Sequence, residues 1–252
     1  MPDQTTDPAN EIHNADSAFS ATLLTVSGAR SEQRQAFADG SPPWLQSVGK
    51  LDVPGIEFRD GKRRHQRENC SGTLVAPAGQ RLADTVVTAW HCLEFYNDLS
   101  KSITFTLLPG SDQAIRREAY RLADGGGMHA DWALLRLHRP VDTSLVPAME
   151  LNPQRGDLQR PVTMAGFSGD EGLGRAGAVL TYHQSCQIIR QERGASETDC
   201  SAYRGASGGA VIQLSQDGGP RLTGVISRGN SDGLSIYIPV SGFRGPLEQH
   251  VN

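Results

Sequence analysis

The chain has 252 residues and a formal net charge of −4, enough length to bury a full core as one large domain or two tightly joined halves, and no charge excess that would make nucleic acid or an anionic membrane its main partner. No run approaches the ~20 consecutive apolar residues of a membrane helix, so no membrane span is expected. The 28 glycines and 14 prolines are spread along the sequence, which suits many short strands joined by turns and predicts a mostly β fold.

Residues 1 to about 43 are polar and end in Gly40-Ser41-Pro42-Pro43, which stops any regular element. They are expected to form an irregular N-terminal extension, disordered or serving as a pro-segment, with 19–26 as its one strand-like run. The start has neither a basic n-region nor an apolar h-region, so no signal peptide is visible. A weak helix signal covers 31–39. From Trp44 onward short apolar runs recur, at 45–51, 72–75, 86–88, 103–108 and 132–137, then at 162–167, 187–189, 209–212, 222–227 and 234–238. Strands at this spacing predict a sandwich or barrels. The basic run Lys62-Arg63-Arg64-His65-Gln66-Arg67 reads as a solvated loop between strands. A second helix signal lies in the last dozen residues.

Cys70, Cys92, Cys186 and Cys200 form no C-x-x-C pair and have no histidine at finger spacing, so neither a structural zinc nor any other metal is assigned. An even count allows two disulfides. The sequence alone leaves three pairings open.

Gly205-Ala206-Ser207-Gly208-Gly209 fits G-x-S-x-G, the nucleophile elbow of α/β-hydrolases, with Asp217 or Asp232 and His250 as formal partners. That fold needs a helix directly after the serine. Here two glycines and Ala210-Val211-Ile212 favour a strand, and no alternating β-α pattern precedes them. Better partners lie upstream. His91 ends an apolar run in Val86-Val87-Thr88-Ala89-Trp90-His91-Cys92, and Asp131 heads another in Asp131-Trp132-Ala133-Leu134-Leu135. Singly, each has a structural explanation, a packed histidine or a turn aspartate. In the order His, Asp, Ser they match one of the known orders of the serine-protease triad.

With Cys70-Ser71-Gly72-Thr73-Leu74-Val75 added, these blocks resemble the chymotrypsin-like (trypsin-fold) serine proteases, most closely their bacterial secreted branch, which includes the V8-like glutamyl endopeptidases. The resemblance runs from about Trp44 to the C-terminus. It implies an all-β fold of two packed six-stranded antiparallel β-barrels, at about 44–145 and 155–245 within a protease domain 44–252, with a short C-terminal helix. It implies a serine endopeptidase in which His91 is the general base, Asp131 orients it and Ser207 is the nucleophile, passing through an acyl-enzyme. The backbone N–H groups of Gly205 and Ser207 would form the oxyanion hole. It pairs Cys70 with Cys92, which leaves Cys186 with Cys200; disulfides in turn point to a secreted or periplasmic location. Protein or peptide is the expected substrate, no cofactor is assigned, and a monomer is expected. A self-processing protease and a catalytically silent binding module are the alternatives.

The same resemblance places Ser201 at the floor of the pocket for the residue before the scissile bond. Ala202, Tyr203, Ser227, Arg228 and Gly229 form its walls, Ser235 faces inward and Arg204 sits at the rim. A neutral serine floor favours small or apolar side chains over Lys or Arg, unless Asp199 or Asp232 points inward. Ile226 stands where V8-like enzymes carry a histidine, so Glu specificity is not expected. The residue before Ser207 is Ala206 rather than aspartate, which removes the salt bridge to a freed N-terminus that orders the oxyanion loop in family members activated by cleavage.

Overall fold

The computed structural model describes residues 32–98, 100–229 and 233–251; the run 19–26 and Asp232 lie outside the described residues. The first strands are β1 (Gln35–Ala36), β2 (Val48–Arg59), β3 (Lys62–Val75), β4 (Leu82–Thr88), β5 (Ile103–Leu107), β6 (Ile115–Asp124) and β7 (Ala133–Asp142). Strands β2 to β7 pair antiparallel in the order β2-β3-β4-β7-β6-β5 and close through β2 and β5. Closure leaves no edge strand to pair with other chains. The β2–β3 hairpin turns at Asp60 and Gly61, with φ of 53° and 71°, the left-handed values that a two-residue type I′ turn requires. The basic run 62–67 is therefore the exposed outer part of β3 and not a loop: it is held in register against β2 from Arg59↔Lys62 inward.

The second half holds β8 (Glu150–Leu151), β9 (Val162–Gly166), β10 (Thr181–Cys186), β11 (Ile188–Gln191), β12 (Ser196–Thr198), β13 (Ala210–Leu214), β14 (Pro220–Gly229) and β15 (Ser235–Pro239). Its pairing path is β1-β10-β9-β13-β14-β15-β12-β11, with β8 lying parallel to β14. The two ends of the path meet in sequence, because β10 runs into β11 across Gln187. A register shift between His183 and Cys186, with Ser185 at φ 61°, marks the bend. One bent segment thus serves β9 on one side and β12 on the other, curling this sheet into a half-barrel beside the closed first barrel.

Alternation builds three apolar clusters from these strands. On β4, Val86 points into the first barrel with Leu51, Phe105 and Leu135. Its neighbour Val87 points the other way, into a seam shared with Leu134, Phe167, Ile212 and Val225. The second barrel encloses Met164, Val211, Ile226 and Tyr237. A short helix, α1 (Arg244–Glu248), drops Leu247 into the seam, and Phe243 before it lies 5.9 Å from the Trp132 ring. Each large side chain buried in this way contributes about 1.5 to 3 kcal/mol.

The disulfides are Cys70–Cys92 and Cys186–Cys200, spanning 22 and 14 residues. Closing loops of these lengths contributes about 3 kcal/mol each on a chain-entropy model. The helix expected over 31–39 is absent from its described part. Residues 35–36 instead pair with Tyr182 and Thr181 of β10, where side-chain bonds from Gln33, Arg34 and Gln35 draw the backbone out straight.

Candidate active site

After β4 the chain turns at Ala89 into a 3-10 helix at Trp90–Leu93, which presents His91 while Cys92 is tied back to Cys70 on β3. Asp131 follows a turn closed by the Gly127↔Ala130 bridge and stands just before β7. Its carboxylate is fully buried. Oδ2 lies 2.9 Å from His91 Nδ1 and accepts the Ser227 hydroxyl at 2.5 Å, while Oδ1 accepts the His91 backbone N–H at 2.9 Å. Burial alone would push this carboxyl up. The bonds and charge of His91, together with the Ser227 hydroxyl, outweigh it and hold Asp131 below the ordinary carboxylate range. An ionised carboxylate only accepts hydrogen bonds, so Nδ1 carries the ring proton and Nε2 is left as an acceptor.

Ser207 leads from the second half into β13, a strand, which removes the nucleophile-elbow reading with its required helix. Its hydroxyl donates to the Ser227 carbonyl at 3.4 Å. His91 and Ser207 line one cleft of about 330 Å³. Behind Ser207 the backbone is pinned by the first barrel: the Ser71 N–H donates to the Ser207 carbonyl, and the Ser71 hydroxyl donates to the Gly205 carbonyl, both at 2.8 Å. The Phe167 N–H completes the junction by donating to the same hydroxyl at 2.8 Å. Gly205 has φ +92°, and a Cβ there would meet the Phe167 carbonyl oxygen at 2.5 Å. Only glycine fits that position. Among the described residues, neither the Gly205 nor the Ser207 N–H is spent on a bond within the chain.

Of the residues expected to shape the pocket, Ala202, Tyr203 and Arg204 line the cleft on one side and Ser227, Arg228 and Gly229 on the other. Ser201 and Ser235 do not. The Ser201 N–H donates to His183 Nδ1, and fully buried Ser235 donates to the Cys200 carbonyl. Asp199 is occupied by the Gln187 N–H at 2.7 Å, and no carboxylate lines the cleft among the described residues. Arg204 and Arg228 are exposed at the rim.

Sequence reasoning missed three contributors. In the sequence Ser71 is one letter of the Cys70–Val75 block; a serine among the apolar residues of a strand, here at full burial, is the signal for its role. Ser227 was expected only as a pocket wall, yet its hydroxyl holds Asp131. Met128, half-exposed on the turn before Asp131, lines the cleft without any local signature.

Comparison with known proteins bears on the family and the fold. The family model for the trypsin-like peptidase domain matches residues 70–219, more than half of the chain. A serine endoprotease from Yersinia pestis is similar in fold, with a TM-score of 0.56 and 19% sequence identity, covering 82% of this chain. The chain spans 63% of that protein's length. No curated protein matches the sequence. With a matching family model over most of both halves and a two-barrel fold around the cleft, the chain belongs to the trypsin-like peptidase family, among the chymotrypsin-like serine proteases.

Proposed function

We propose that this chain is an endopeptidase that cuts peptide bonds through His91, Asp131 and Ser207. The observation that carries the reading is the fully buried Asp131 carboxylate bonded to His91 Nδ1, which aims a basic Nε2 into the cleft holding Ser207. The Ser207 hydroxyl swings from the Ser227 carbonyl to Nε2, and its oxygen bonds to the substrate carbonyl carbon as Nε2 takes the proton. The carbonyl π pair moves onto oxygen, facing the N–H groups of Gly205 and Ser207. When the C–N bond breaks, His91 returns the proton to the departing amine and an acyl-enzyme remains. Water then repeats the sequence and frees Ser207.

A cleft wall without a carboxylate, with exposed Arg204 and Arg228 beside it, favours small or apolar side chains before the scissile bond over Lys or Arg. We assign the protease domain to residues 44–252, preceded by an extension, and place the protein outside the reducing cytosol on account of its two disulfides. No helix among the described residues is long and apolar enough to cross a membrane.

A serine-directed fluorophosphonate tests the reading. Wild type should label at one site and Ser207→Ala should not; equal labelling of both would sink it. Gly205→Ala supplies a second check. The added Cβ must displace the Phe167 carbonyl or twist the Gly205 N–H out of line, and loss of one such donor costs about 10²–10³ in kcat. Steady-state rates on a fluorogenic peptide should fall by that factor, and an unchanged kcat would remove Gly205 from the hole.

A further inference from the structure

The direction of the Gly205 N–H is set by a bond on the other side of its peptide. The Gly169 N–H donates to the Arg204 carbonyl at 2.6 Å. A trans peptide holds its C=O and N–H on opposite sides, so this bond turns the Gly205 N–H away from the backbone of residue 169. A flip of the Arg204–Gly205 peptide would aim a carbonyl where the donor now points.

Arg34 grips the residue next to each partner of that bond. Its guanidinium is buried, with only 3% of the side chain exposed, and Nη1 donates at 2.8 Å to Asp170, the neighbour of Gly169. Its Cζ lies 3.9 Å from the ring centroid of Tyr203, the neighbour of Arg204. Glu32 holds the guanidinium in place, bonding Nη2 at 2.6 Å and Nε at 3.0 Å. Burial works against the arginine's charge, yet the bonds from Glu32 and Asp170 raise its pKa further. On either side, His183 Nε2 donates to Gln33 Oε1 at 3.0 Å while its Nδ1 accepts the Ser201 N–H, and Tyr182 donates to Gln35.

We infer that Arg34 is a positioning residue for the oxyanion turn: from a segment ahead of the first barrel it clamps the 167–170 and 201–205 loops together and keeps the Arg204–Gly205 peptide in its donor orientation. The inference rests on the proposed role of Gly205 and Ser207.

The test uses the full chain with Arg34→Met, which keeps the apolar stem, Arg34→Lys, Asp170→Asn, and Arg136→Met as a control. Arg136 pairs with Asp84 on the first barrel, away from these loops. The readouts are the second-order rate of fluorophosphonate labelling per folded molecule, well below each variant's Tm, and the Tm itself. A misplacement of about 1 Å can cost about 10²-fold. Arg34→Met should therefore slow labelling roughly 10- to 100-fold, Asp170→Asn should slow it in the same direction, and Arg34→Lys should recover part of the loss. Arg136→Met should lower Tm and leave the rate unchanged. If Arg34→Met fails to fold, Asp170→Asn and Arg34→Lys decide. Variants that lose Tm but label at the wild-type rate would reduce Arg34 to a structural anchor and overturn the inference while leaving the Ser207 reading intact. Failure of the wild type itself to label would overturn both.

Discussion

Ser207→Ala is expected to lower kcat by about 10⁶-fold, with the folded state and Tm close to wild type. The side chain is only partly buried and, among the described residues, its hydroxyl makes one long donation, to the Ser227 carbonyl, so truncation removes little packing. The loss is chemical: of the two serines that line the cleft among the described residues, Ser227 spends its hydroxyl on Asp131. His91→Ala should cost about as much, and the double variant little more than either, since base and nucleophile act as one unit. Steady-state rates on a fluorogenic peptide, corrected for contaminating protease by fluorophosphonate titration, give the measurement. A residual rate within about 10³-fold of wild type would mean that another group does the chemistry.

Asp131→Asn should lower kcat about 10⁴-fold. Three donors converge on the two carboxylate oxygens: the His91 backbone N–H, His91 Nδ1–H and the Ser227 hydroxyl. An asparagine offers one oxygen to them and turns an NH₂ toward the rest. Where that NH₂ meets the ring, the imidazole must accept at Nδ1 and carry its proton on Nε2, which then cannot take the proton of Ser207. The same contacts predict an acid dependence. Because Asp131 is held below its ordinary carboxylate value, its contribution to stability is in full effect above that value and is lost as pH falls through the depressed folded one. The stability gap between wild type and Asp131→Asn should therefore narrow toward acid pH, as denaturant midpoints would record. A gap that widened on acidification would contradict the assigned network.

The sequence carried most of the fold where local pattern and burial agree. Run 132–137 became β7 with both faces buried, Leu135 and Leu137 in the first barrel and Leu134 in the seam, while run 103–108 became β5 by alternation, with Ile103, Phe105 and Leu107 turned into the barrel. It was silent at β6, where Ala119 alone is buried. That strand exists because β5 and β7 supply its ladder, a tertiary fact that composition does not carry. At the site, His91, Asp131 and Ser207 were legible because each sits beside small or apolar residues in a distinctive block. Arg34 was not: its ion pair with Asp170 spans 136 positions, and Glu32-Gln33-Arg34-Gln35 reads as a weak helix until its side chains find partners on β10 and the two loops. Ser201 is held by another long-range contact, its N–H donating to His183 on β10, which the sequence likewise does not announce.

Ser71 and Ser227 reach across the boundary between the barrels in opposite directions, one toward the turn of Ser207 and the other toward Asp131. The bonds that hold the proposed reacting groups thus run across the same seam that Val87, Leu134, Phe167, Ile212 and Val225 fill. Loosening of that seam by heat or denaturant is expected to disperse the proposed reacting groups, so loss of fluorophosphonate labelling should track loss of the shared core.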